Sequence, residues 1–384
     1  MGITASTLIY LFMFILTVST AALADKCFKR KSKVLGIALL VFVILIPSVL
    51  AGVRGNDVGR DVQVYGLRVF NIAKQYASFW PFQNQLNGTI GYMVLAFGVS
   101  RIFPDAGWLL FFLQLLVMAP ITMVAYKVRE KTPISLTVCV YLFLFYNNSL
   151  NIMKQSISCA FLLLMFLYLR EFKLVRSVAL GVFAILFHPS AIIGVAVIIT
   201  VLLAERTRAA WTEFMIIAVL LIAVMNLQTI SSLMLDKGIL AEKYVSNITE
   251  FFGSSQSYLK FDSFKPQLLY DLVFRGIFCF LPILLLYYTH REQDRAVNLI
   301  VVIGFVVYFY TFFKYTTVYG GRVTLYCDFF WILLVPKICE AVKIRLKSGF
   351  DITFVGMWLF LFADWFPWVM IFGWSASNHF AFRF

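Results

Sequence analysis

One histidine and one proline interrupt the apolar run "LFHPSAIIGV", at His188 and Pro189. Proline has no N–H to give a continuous helix, so the run reads as two shortened helices meeting near His188. Broken backbone at membrane depth is tolerated mainly where it lines a protein-buried or watery cavity. An imidazole there either hydrogen-bonds the broken helix or exchanges a proton with a substrate, and the sequence leaves both open. Further polar residues stand at comparable places. The loop "RGNDVGRDVQVYGLRVFNIAKQYASFWPFQNQ" holds Arg54, Asp57, Arg60, Asp61, Tyr65 and Arg68, with Asp57 and Asp61 spaced to share one helical face. In "NNSLNIMKQS", Asn148 or Ser149 is expected to cap a helix whose first turns carry Lys154 and Gln155, and a helix N-terminus with a lysine favours an anion. Arg275 lies one turn from Asp271 in "LLYDLVFRGIFCF", a spacing that also permits a simple buried ion pair. Arg322 opens the block in "YGGRVTLYCDFF".

The elements that must position these residues are membrane helices. Of the 384 residues 61% are hydrophobic and only 14% charged, and apolar blocks recur along the whole length. The expected fold is an all-α polytopic transmembrane bundle, one membrane domain over residues 1–384, with 11 to 12 crossing helices and larger extracytoplasmic loops at about 54–107 and 229–268. Expected spans are 4–24, 34–53, 108–126, 134–150, 152–169, 212–228, 269–289, 296–313, 323–339 and 352–372, with the broken pair at 177–187 and 190–204. The net charge of +14 is bunched in short connectors, as the positive-inside rule produces, so it does not point to nucleic acid. "DKCFKRKSK", "KVREK", "REFKLVR", "ERTR", "HREQDR" and "KICEAVKIRLK" all fall on the cytoplasmic side if residues 86–103 dip into the membrane without crossing and the pair around His188 is counted as broken. The aromatic segment "FADWFPWVM" reads as interface anchoring. Six dispersed cysteines show no metal-ligand or disulfide spacing.

With that orientation Arg60, Asp61, Lys154, His188, Arg275 and Arg322 fall on the outer side, where topology alone places few cations. Charge in such positions is costly and calls for an anionic ligand. A diphosphate suits it, since arginine offers bidentate contacts and lysine a point charge. Without a Walker A loop, a nucleotide-binding glycine fingerprint, HExxH or an Asp-x-Asp pair, a soluble nucleotide donor or metal chemistry has no motif to support it. A lipid-linked diphosphate fits better.

The order "GRDVQVY", "NIMKQSISCAFLL", "FHPSAII" and "GGRVTLYCDFFWILLVPKI" resembles the EpsG family of polysaccharide polymerases, similar in role to the Wzy-type O-antigen polymerases, over residues 50 to 340. Where that family usually has arginine before glutamine, this chain has Lys154, which keeps the charge and loses the fork. The resemblance implies glycan polymerisation at the outer face of a bacterial inner membrane, without cofactor. The growing chain on polyprenyl diphosphate would be transferred to an incoming lipid-linked repeat unit, with a chain-length regulator as a possible partner protein. For that reaction His188 and Asp61 are the candidate proton acceptors, His188 favoured as base and Asp61 as sugar anchor. Arg60, Lys154, Arg275 and Arg322 would offset the developing charge, with Gln155 and Tyr65 as further substrate contacts. Alternatives are a lipid-linked-sugar transporter or flippase, a membrane glycosyltransferase of another kind, or an O-acyltransferase acting on surface glycan. In the second long loop, helical spacing of Leu240, Tyr244 and Ile248 predicts a short amphipathic helix lying on the membrane or over the cavity.

Overall fold

The computed structural model describes residues 2–207, 266–288, 294–314, 317–342, 352–373 and 375–383, with 211, 215, 218, 219 and 233. The expected span at 212–228 and the amphipathic helix of the second long loop lie outside the described residues. The described elements are helical, with one isolated bridge between Arg54 and Phe382. In chain order they are α1 (Ile3–Lys29), α2 (Lys33–Val53), a π-helical turn (Val62–Leu67) leading into α3 (Arg68–Gln75), α4 (Phe79–Leu86), α5 (Ile90–Ile102) and α6 (Gly107–Val128). Then come α7 (Ile134–Tyr141), which runs through a second π-helical turn (Leu142–Tyr146) into α8 (Asn147–Asn151), α9 (Met153–Arg170), α10 (Leu174–Phe187) and α11 (Ala191–Thr207). The series closes with α12 (Pro266–Tyr288), α13 (Arg295–Lys314), α14 (Thr317–Asp328), α15 (Trp331–Val342), α16 (Ile352–Trp365) and a π-helical turn (Phe366–Ile371). The chain forms two compact units, one of Met1–Ile192 with Trp331–Phe384 and one of Ile193–Phe330.

Among the described residues five helices are long and apolar enough to cross a membrane: α1, α2, α6, α9 and the continuous Ile352–Ile371. α5 is different. Its 13 residues rise only about 20 Å, short of the ~30 Å hydrocarbon core. The ends of the segment around it agree, because α2 and α6 touch where one stops and the other starts: a Cβ on Gly107 would stand 2.6 Å from the Gly52 carbonyl oxygen. Residues 54–106 therefore start and finish at the same end of the α2–α6 pair.

The opposite end gathers basic connectors. Asp25 near the end of α1 accepts the backbone N–H groups of Ile134 and Ser135 in the first turn of α7, at 2.9 and 3.1 Å. Arg129 lies over the Phe28 ring at 5.7 Å. Glu171 pairs with Lys127 at 2.5 Å and Lys173 at 2.7 Å. The Lys127 hydrogen bond holds the Glu171 carboxyl below the ordinary carboxylate range, so the pairing is present above that range and is lost only as acid protonates Glu171.

Two expectations change. The span expected at 323–339 is two helices, α14 and α15, interrupted at Phe329 and Phe330. No proline or glycine marks that interruption, since Pro336 lies inside α15. "FADWFPWVM" is not simply an interface anchor either. Trp365 is fully buried, packs edge-on to Tyr10, Phe14 and Phe143, and donates its indole N–H to Asn147 Oδ1 at 2.8 Å. Its amphipathic ring suited either setting, and a buried acceptor decided the matter.

The end-to-end arrangement fixes a topology. Reporter fusions after residue 70 and after residue 130 are expected to lie on opposite sides of the membrane, and the same side for both would contradict the shared entry and exit of residues 54–106.

Candidate functional site

The site begins where the second apolar hairpin fails to remain helical. Ile152 donates its N–H to the Asn148 carbonyl but has φ −88° and ψ 55°, so α8 stops there and α9 restarts at Met153. Neither Asn148 nor Ser149 caps α9, contrary to the sequence expectation, and Ile152 at the cap supplies no side-chain hydrogen bond. Ser149 is buried, its hydroxyl among Gln114, Tyr141 and the Tyr146 carbonyl.

A helix that stops leaves carbonyls without intrahelical donors. Arg54, 1% exposed, supplies one: its guanidinium donates to the Leu150 carbonyl at 2.9 Å and lies 3.3 Å from Met153 Sδ. Burial pulls Arg54 down to about 10, which leaves it charged at neutral pH. The loop that follows is laid against the same break. Gly59 adopts φ +98°, where a Cβ would also stand 2.9 Å from the Leu150 carbonyl oxygen, so glycine is required twice over. Its N–H reaches the Ala376 carbonyl at 2.7 Å, and Asp61 N–H reaches Asn151 Oδ1 at 3.1 Å. The C-terminal segment closes the far side: Gly55 N–H donates to Ala381, Arg383 N–H to Val53, and Asn147 Nδ2 to Ser377 Oγ. Asp57 and Asp61 do not share a helical face. Asp57 sits in the turn and accepts from Gln63 Nε2 at 2.7 Å, whereas Asp61 opens the π-helical turn.

That turn carries Tyr65 over α9. Lys154 Nζ lies 3.9 Å from the Tyr65 ring centroid and 5.3 Å from that of Tyr92 on α5, and Tyr92 is within electrostatic reach of Tyr65 and Asp61. Arg60 is exposed beside Asp61. Gln155, one residue after Lys154, is buried and so belongs to a different face of α9.

His188 joins through a shared carbonyl. Ser158, one turn after Lys154, donates its hydroxyl to the Ala184 carbonyl at 2.7 Å, and that oxygen also accepts His188 N–H at 3.0 Å. Ala184 is one turn before His188, and α9 starts at the end where α10 finishes. Lys154 and His188 therefore stand one turn from the same contact, toward the same end. Gly91 completes the junction: a Cβ there would meet Phe187 Cδ2 at 2.8 Å, so Tyr92 and His188 follow directly on touching residues. His188 Nδ1 and Ser190 Oγ are 2.6 Å apart. The first unit thus brings together Asp61, Tyr65, Lys154 and His188, with Tyr92 and Asn151 as members that sequence reasoning missed. Both had a signal: Asn151 lies within the quoted run "NNSLNIMKQS", and Tyr92 adjoins a glycine in a helix too short to cross.

Arg275 and Arg322 belong to the second unit. Arg275 Nε pairs with Asp271 at 3.0 Å and its Nη1 with Asp328 at 2.5 Å, Tyr308 donates its hydroxyl to Asp271, and the guanidinium lies 4.1 Å from the Tyr308 ring. The i, i+4 ion pair foreseen in the sequence is formed, and Asp328 and Tyr308 extend it. Gly304 permits this packing, since a Cβ there would stand 2.6 Å from Cys327 Cβ. Arg322 is exposed.

The EpsG family model matches residues 37–378, a stretch that contains every candidate residue of both units. The chain belongs to the EpsG family. No curated protein and no solved structure matches it. As an EpsG-family protein it is a membrane protein of the polysaccharide-polymerase type, and the convergence of Asp61, Lys154 and His188 lies within the matched stretch.

Arg54 is the residue on which this geometry can be tested. Arg54→Ala leaves the Leu150 carbonyl without its donor and a void beside Met153, an expected loss of about 1–3 kcal/mol. The melting temperature of the detergent-solubilised protein should fall by several degrees, and an unchanged value would remove Arg54 from its place as the tie between loop and break.

Proposed function

We propose that this EpsG-family chain transfers a growing glycan from polyprenyl diphosphate to an incoming lipid-linked repeat unit, at the outer face of a bacterial inner membrane. The observation that carries the reading is Lys154, at the N-terminal turn of α9 and one turn before Ser158, whose hydroxyl bonds the Ala184 carbonyl that also accepts His188 N–H. A helix N-terminus and an ammonium favour the anion, and an imidazole at the same level can take a proton.

In the step itself an acceptor-sugar hydroxyl attacks the anomeric carbon of the donor. The new C–O bond forms as the bond to diphosphate breaks, polyprenyl diphosphate leaves with the electron pair, and His188 takes the hydroxyl proton. A base acting through Nε2 carries its own proton on Nδ1, where Ser190 Oγ stands as the acceptor. Asp61 anchors the acceptor sugar, with its backbone fixed by Asn151. Lys154 and Arg60 offset the charge that develops on the leaving group, and Tyr65 offers an exposed ring face to a sugar or lipid portion. In the second unit Arg275 and Arg322 are proposed separately as phosphate contacts, whereas Gln155, buried on another face of α9, is not. The arginines offer forked donors to phosphate oxygens, and the carboxylates already on Arg275 set the geometry from which it would act. A chain-length regulator would act on this protein from outside the site.

The distinguishing experiment is the surface polysaccharide of a deletion strain. Loss of a polymerase leaves single repeat units that still reach the surface, whereas complete absence of surface repeat units would replace this reading by transport of the lipid-linked unit. At Arg322 two substitutions should differ: Ala abolishes polymer, and Lys, which keeps charge without the planar fork, leaves sparse or short chains, both at normal membrane abundance. Full-length polymer from a well-expressed Arg322→Ala variant would withdraw Arg322 from the site.

A further inference from the structure

Tyr92 is 1% exposed, and its hydroxyl has no hydrogen-bond partner among the described residues. A buried phenol without a partner is uncommon, because a donor withdrawn from water is ordinarily given a replacement acceptor. The other large buried tyrosines of this unit follow that rule: Tyr10 donates to Ser377 O, Tyr146 to Pro47 O, and Tyr141 is bonded to Gln114 and Ser149. Tyr92 departs from it at the one place where a cation stands above its ring, Lys154 Nζ at 5.3 Å.

The surroundings define what would complete it. Lys154 has only donors to offer, and the first turn of α9 presents the positive end of an 18-residue helix. Asp61 is within electrostatic reach of Tyr92 but not hydrogen-bonded to it. With Lys154 Nζ 5.3 Å from the Tyr92 ring centroid and itself carried on the first turn of α9, the acceptor this setting favours is an anionic oxygen. We propose that the Tyr92 hydroxyl donates a hydrogen bond to a phosphate oxygen of the diphosphate held at Lys154, making Tyr92 a ligand-binding residue of this site. The proposal rests on the diphosphate reading above and adds a residue that the reading did not include. Tyr92 fits such a role sterically, because Gly91 lets α5 press onto Phe187 and so fixes the start of the helix. The phenol is then held in place before the anion arrives, and no side-chain ordering has to accompany binding.

Inorganic diphosphate is the probe, titrated against the purified full-length protein in detergent, with wild type, Tyr92→Phe and Lys154→Ala compared. Tyr92→Phe removes one oxygen and keeps the ring. Because that oxygen has no partner in the folded chain, the melting temperature without diphosphate should stay the same or rise. Diphosphate affinity should fall about tenfold or more, the usual range for a hydrogen bond to a charged group. Lys154→Ala should weaken binding at least as much. If Tyr92→Phe binds like wild type while Lys154→Ala is weakened, the Tyr92 proposal falls and the diphosphate site stands. A lowered melting temperature for Tyr92→Phe without diphosphate also overturns the proposal, since the hydroxyl would then serve the fold. If wild type itself shows no diphosphate binding, the site reading and the proposal fall together.

Discussion

The buried guanidinium of Arg54 is the contact on which the rest of the site depends. α8 ends at Ile152, and a helix end in an apolar interior cannot leave its carbonyls bare. Arg54 answers the Leu150 carbonyl from a position one residue past α2, and so fixes where the following loop must run. Gly59 brings that loop against the same carbonyl, and Asn151 takes the Asp61 N–H, so the π-helical turn starts in a set orientation with Tyr65 above Lys154. The break that creates the unsatisfied carbonyl also creates the fresh helix N-terminus at Met153. One interruption in the backbone therefore supplies both the anchor and the electrostatics. A cation buried to 1% exposure is costly, and here the charge is surrounded by a carbonyl, a thioether and the hydroxyl-bearing rings of Tyr10 and Tyr146 rather than by a carboxylate.

Much of this was legible in the sequence where a residue's covalent chemistry dictated the outcome. Pro189 breaks the chain between α10 and α11 because it lacks an N–H, and residues 86–103, moderately apolar with three glycines and Arg101, read as a dip without a crossing and hold a helix of only 13 residues. Among the described residues the cations of the connectors stand at or just beyond the ends of α1, α6 and α9, since charge and hydrocarbon do not mix. What stayed hidden was set by partners distant in sequence. Asn148 and Ser149 look like caps, but the buried polar cluster around Gln114 and Tyr141 claims Ser149, and the chain breaks at Ile152, three residues later, for a reason that no local propensity announces. Trp365 reads as an interface anchor until Asn147, more than two hundred residues away, is seen to accept its N–H. The break at Phe329 and Phe330 has no proline or glycine to signal it. The glycine beside Tyr92 was a sequence signal of close packing, but the tyrosine's distinguishing property, a buried hydroxyl without a partner among the described residues, only a packed structure can display.

The second unit shows the opposite electrostatic solution. Two carboxylates converge on Arg275, and the phenol of Tyr308 adds a donor to Asp271 and a ring face to the guanidinium. Ion pairs taken out of water repay their desolvation only when the remaining lone pairs are also bonded, and Thr324 adds a further hydroxyl, 3.4 Å from Asp328. The spacing of Asp271 and Arg275 is local, but Asp328 comes from α14, and it reaches the arginine because Gly304 lets α14 lie close on α13. The guanidinium has five N–H donors in a rigid fork, so it can hold Asp271 through Nε and Asp328 through Nη1 at once in fixed directions, which a lysine could not.

That contrast bears on Lys154. The motif resemblance implies an arginine where this chain has Lys154, and a planar fork would stack flat on Tyr65 with its donors committed to one plane. The ammonium instead sits over the ring, held by attraction to the π face, which lowers the energy of the cation without cancelling its charge. Its donors are not fixed in one plane, so in the proposed site they set the direction of a phosphate oxygen less strictly than a fork would. In the proposed site, orientation would then fall to groups that cannot rotate away, the backbone N–H groups of the α9 N-terminus and the Tyr92 phenol, whose ring centroid lies 5.3 Å from Lys154 Nζ. A site built with lysine in place of arginine is therefore expected to depend more on its fixed surroundings, and the rigid junction of α5, α9 and α10 around Gly91, Ser158 and Ala184 is where this chain provides them.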